Sequence, residues 1–123
     1  MAYNYREHLK ADVVDCLDLF DVGGYDDVEE FAQKMEEELW VMDSVTGNGS
    51  GSYTFSREDA KANVLANLDL LHEAMEDFEI TDEEVGKRFM ADDWEWFDVI
   101  IRCSLLSGVC EEVAEEYKDK FVA

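Results

Sequence analysis

Three cysteines and two histidines are the side chains here best suited to pair a nucleophile with a base or to bind a soft metal. Cys16, Cys103 and Cys110 all fall inside apolar helical patterns. Their odd number fits reduced core thiols. Cys103 and Cys110 stand two helical turns apart, too far for a disulfide within one helix. No CxxC pair exists, so a structural zinc site is not expected. His8 and His72 each sit beside an acid, Glu7 and Glu73, with no nucleophile near in sequence. A Cys–His pair would have to be assembled in space. The sequence predicts no catalytic residue, no metal and no cofactor.

Two other patterns invite chemistry. Gly47, Gly49 and Gly51 make a glycine-rich loop whose backbone N–H groups could cradle a phosphate. Such loops follow a strand and open a helix, often with a lysine. Here a helix is expected before the loop, Tyr53-Thr54-Phe55 intervenes, and no lysine is near. Oxygen-bearing residues after Asp43 miss the alternation of a calcium loop. Arg102 lies in the most apolar stretch, and a buried arginine needs a carboxylate. Asp98 is one turn earlier on the same face, and Asp43 could reach it from the loop. The expected role of Asp98 and Arg102 is a structural salt bridge.

Apolar stripes at helical spacing must carry these groups. Helices are expected over about 4–20, from about 26 to 42, 57–78, 82–91 and 93–118. Gly23-Gly24 closes the first. Ser56 with Asp59, and Thr81 with Glu84, resemble capping boxes. The last segment is apolar on nearly all sides over 99–110, as a central helix would be. The fold class is therefore all-α. One domain over 1–123 forms a bundle of about five helices, with a glycine-rich loop or small hairpin at 43–56 pairing residues 45–46 with 53–54.

Charge is the dominant feature. The 123 residues hold 32 acids against 10 Lys and Arg, a net −22. A compact chain of this length is roughly 35 Å across. Duplex DNA carries one charge per ~1.7 Å, so this net charge matches roughly 37 Å of duplex. Such a surface repels nucleic acid and anionic membrane and attracts basic protein. No apolar run approaches the roughly 18 residues needed to span a membrane, and no leader is visible, so a cytoplasmic location is expected.

Residues 1–42 carry 12 acids and 3 bases, the densest share. The candidate partner-binding residues are Asp12, Asp15, Asp18, Glu29, Glu30, Glu36, Glu37 and Glu38, with Trp40 as an anchor and Asn48 in the loop. Glu36 to Glu38 and Glu111 to Glu116 stand late in their helices, where the macrodipole disfavours acids. That local conflict favours a partner surface over adaptation to salt or simple solubility.

Residues 39–55, with the loop DSVTGNGSGSYTF, and residues 92–103, DDWEWFDVIIRC, resemble a family of small acidic phage and prophage proteins. The resemblance covers about a quarter of the chain. It implies a context of host-defence inhibition, as by anti-CRISPR and anti-restriction proteins, several of which present carboxylates to basic nucleic-acid channels. The expected partner is thus a basic protein surface, such as a CRISPR effector nuclease or restriction enzyme, with no direct contact to nucleic acid or membrane. If phage-encoded, the protein would act in the host cytoplasm. An alternative is a regulatory or adaptor protein that binds a host protein through the loop and Trp40. A third reading, an enzyme using His8 or His72, predicts a turnover lost on His→Ala.

Overall fold

Side-chain caps start most of the helices. A computed structural model describes residues 3–49 and 53–123. Asn4 accepts the Glu7 N–H and opens α1, Tyr5–Asp15, which passes into a 3₁₀ turn, Leu17–Leu19. Asp27 accepts the Glu30 N–H and opens α2, Val28–Trp40. Ser56 and Thr81 cap α3, Arg57–Leu65, and α5, Asp82–Met90. Between these two lies α4, Leu68–Asp77. Then α6, Trp94–Glu116, runs the length of the molecule, followed by α7, Lys118–Phe121. Both expected capping boxes are half-made. Their hydroxyls accept, but Glu84 turns to Arg88 instead of reaching back.

The chain is all-α, with α6 at the centre and α1, α2, α3 and α4 packed around it. Its C-terminal half meets Leu9 and Val13 of α1, Phe31, Met35 and Leu39 of α2, and Phe121 of α7. Its N-terminal half meets Tyr5, Val64 and Ala74. Phe31 stacks on Phe121, centroids 4.7 Å apart, and the backbone of Tyr25 pairs with Val122, so the last residues close the end of the bundle. Among the described residues, no helix is long and apolar enough to cross a membrane.

Two expectations need correction. The helix predicted over 57–78 breaks between Leu65 and Leu68. Asn67 explains the break: its side-chain amide donates to the carbonyls of Asn63 (2.8 Å) and Tyr3 (2.9 Å). A side chain that bonds the backbone in this way competes with the helix ladder. The hairpin pairing 45–46 with 53–54 does not form. Val45 and Thr46 are buried in turns, and the Thr46 hydroxyl donates to the Trp40 carbonyl at 2.8 Å. The segment therefore satisfies the open C-terminus of α2. Gly47 follows at φ +78°, and a Cβ there would stand 3.2 Å from Tyr53 and Val99. Gly51 lies outside the described residues.

Candidate functional site

With so few bases, their positions decide which carboxylates stay bare. Lys10 of α1 bonds Glu112 (3.0 Å) and Glu116 (2.9 Å) of α6, and Arg6 approaches Glu112. Arg57 pairs with Glu95, and Arg88 with Glu84 and Asp93. Several bases thus sit on the α1 side of α6 and around α5, while Lys34 of α2 pairs with Glu37. On the other side of α6, a groove against α2 is lined by Glu29 and Glu36 of α2 and by Glu111 and Glu115 of α6. Among the described residues, Glu29, Glu36 and Glu111 have no Lys or Arg partner, and Glu115 is met by Lys118. Glu36 also edges an adjoining hollow with Gln33, Glu37 and Trp40. Trp40 is half-buried and meets Phe78 edge-on, with centroids 6.0 Å apart.

The structure brings Glu29, Glu36, Glu37 and Trp40 onto this one face, together with Glu111 and Glu115. The last two belong to the acidic cluster noted at 111–116, and they sit one turn apart on the exposed side of α6. The other candidates lie elsewhere. Asp15 and Asp18 are exposed on or just beyond α1 and do not line the groove. Asp12 is half-buried; burial raises its pKa, nearby Asp15 adds to the effect, and Arg102 and His8 oppose it. Glu30 is a structural residue, since its carboxylate accepts the Asp26 N–H at 2.8 Å ahead of α2. Glu38 is exposed outside the groove. Asn48 is exposed on the loop, its N–H held by Thr46 Oγ1, and it borders a separate hollow beside Tyr53 and Trp96.

Asp98 and Arg102 form the buried pair, 1% and 2% exposed, with Nε 3.1 Å from Oδ2. Three tyrosines that the sequence reading missed surround it. Tyr5 donates to Asp98 Oδ1 at 2.6 Å, Tyr53 donates to Oδ2, and the Tyr3 hydroxyl accepts from Arg102 Nη2 at 2.9 Å. Burial works against the Arg102 charge, but Asp98 and Tyr3 outweigh it and hold its pKa above the ordinary value. Burial, reinforced by Asp98, raises the pKa of both Tyr5 and Tyr53. Asp43 is not the partner; its carboxylate lies against the backbone at Gly49.

The chain matches no known family, no curated protein and no solved structure.

Among the described residues, no hydrogen bond joins a cysteine to a histidine. Burial pushes Cys103 to about 11 and Cys110 to about 12, so neither is a thiolate near neutrality. Cys16 is half-buried with its sulfur 3.7 Å from that of Met42. His8 stacks on Tyr3, and His72 is exposed beside Glu76. Among the described residues, no three His, Cys, Asp or Glu are grouped to hold a metal. What this arrangement offers is a fixed row of negative charge.

Proposed function

We propose that this protein is a non-enzymatic, phage-encoded inhibitor of a host nucleic-acid-handling defence enzyme, a CRISPR effector nuclease or a restriction enzyme. It binds the enzyme's basic surface where nucleic acid would lie. The supporting observation is the α2–α6 groove, where Glu29, Glu36 and Glu111 have no Lys or Arg partner among the described residues. Most of the chain's paired bases are engaged elsewhere, and those on this face meet Glu37 and Glu115. The helices fix where the carboxylates attach, so no backbone has to order on binding, and the cost is confined to the glutamate side chains. Glu29 and Glu36 stand about 10 Å apart along the axis of α2, and Glu111 and Glu115 about 6 Å apart along α6. Two such rows resemble the two phosphate rows of a nucleic acid in being repeated and, except where Lys118 meets Glu115, unneutralised. Trp40 at one end adds a flat surface on which a partner arginine can stack.

The test is binding to an isolated target enzyme at two salt concentrations. Glu29→Gln, Glu36→Gln, Glu111→Gln and Glu115→Gln combined should weaken binding by about 30-fold, taking about 0.5 kcal/mol for each exposed pair lost. The parent should also weaken steeply as salt rises, because displaced counterions return. Asp15→Asn with Asp18→Asn should leave binding within a few-fold. A flat salt response, or a loss on Asn48→Ala in place of the groove change, would reject mimicry and favour an adaptor acting through the loop.

A further inference from the structure

Arg102 carries an unfinished hydrogen-bond set inside the bundle. Its Nε donates to Asp98 and its Nη2 to Tyr3, but Nη1 is buried with no acceptor among the described residues. The Phe55 ring lies over the guanidinium, 3.6 Å from centroid to Cζ. The ring covers one face and leaves the in-plane Nη1 hydrogens unanswered. A buried donor on a charged group left unsatisfied is destabilising. Arg102 also lines a small cavity of about 110 Å³, shared with Tyr53 and Phe55, with Asp59 and Asn63 of α3, and with Asp98. The half-buried Asn63 side chain makes no hydrogen bond among the described residues, so its carbonyl and amine are both open.

We propose that this cavity binds a small neutral molecule carrying an amide group. The guest's carbonyl oxygen accepts from Arg102 Nη1, and its N–H donates to Asn63 Oδ1 or to Asp59. Charge selects the class. Arg102 is already neutralised by Asp98, Asp59 stands beside the cavity, and the whole molecule is at −22, so a carboxylate guest is repelled. A cation would meet the guanidinium. A neutral amide satisfies both Nη1 and Asn63 without adding charge. The aromatic rings of Tyr53 and Phe55 suit a flat group.

The experiment is an NMR titration of the full chain with acetamide and, separately, acetate. It follows the Arg102 guanidinium and Asn63 side-chain amide signals. Acetamide should shift both with a midpoint on the order of millimolar, given how little affinity a guest of so few atoms can carry. Acetate should bind at least tenfold more weakly. Asn63→Leu should weaken acetamide at least tenfold while leaving the melting temperature within a few degrees. Arg102→Gln destroys the buried ion pair together with the donor, so Asn63→Leu carries the test. Equal binding of acetate, no shift at Arg102 in 100 mM acetamide (roughly a hundred times the expected midpoint), or an Asn63→Leu titration that matches the parent would overturn the assignment.

Discussion

Asp12 shows how a single carboxylate can read as surface in sequence and behave otherwise in the fold. It falls on the polar side of α1, yet it is half-buried, and burial raises its pKa, with Asp15 adding and Arg102 and His8 opposing. A carboxyl with a raised folded pKa holds its proton more tightly folded than unfolded. Stability is therefore lost as pH climbs from the ordinary carboxylate range through the raised value, and the loss persists at neutrality. Asp12→Asn, which mimics the protonated side chain, should thus raise the urea midpoint at pH 7 and leave it nearly unchanged at pH 3. A lower midpoint at pH 7 would mean that the charge at Asp12 stabilises the fold through Arg102. At this same scale, sequence exposed the Asp98–Arg102 pair, because i,i+4 spacing on an apolar helix leaves few choices. It did not expose the tyrosines. Tyr3, Tyr5 and Tyr53 come from two distant segments, and nothing in their local spacing marks where their hydroxyls meet.

Among the elements, the helices were legible wherever a cap preceded an apolar stripe. Asp27, Ser56 and Thr81 all accept the N–H three residues on, as their types require. The break at Asn67 was not legible, because an unbroken stripe runs through it and the competing acceptor, the Tyr3 carbonyl, is remote in sequence. Asn67→Ala removes two donors and leaves the Tyr3 carbonyl without its partner. It should lower stability by about 1–2 kcal/mol after a small gain in helix propensity. Chemical denaturation measures this directly, and a variant as stable as the parent would show that the break is set by packing of α3 and α4 on α6. The absent hairpin has a similar origin. Val45 and Thr46 have strand-like types, but the open carbonyls at the end of α2 are nearer than any strand partner. Thr46 satisfies the Trp40 carbonyl before a ladder can start.

For the whole molecule, the question is why a fold tolerates 22 excess negative charges. Self-repulsion among them opposes compaction at every ionic strength low enough to leave it unscreened. The Debye length shrinks from about 30 Å at 0.01 M salt to about 3 Å at 1 M. The melting temperature should therefore rise with salt, by several degrees if about 1 kcal/mol is recovered. Where the repulsion is concentrated distinguishes a working surface from a general excess. On the α1 side, Lys10 and Arg6 answer the acids of α6, whereas the α2–α6 groove leaves Glu29, Glu36 and Glu111 to face one another. If that groove is kept for a partner, it is kept against stability. The fourfold Glu→Gln change at Glu29, Glu36, Glu111 and Glu115 should then melt higher than the parent at low salt, while binding its target more weakly. Asp15→Asn with Asp18→Asn, on α1 and the 3₁₀ turn, should gain less per charge removed. The gain should also fade as salt rises, because screening has already removed what the substitution removes. Calorimetry at 0.01 M and 0.5 M salt separates these cases. A groove variant that melts lower than the parent at low salt would mean that the carboxylates stabilise the helices, and that the binding loss has to be explained by unfolding.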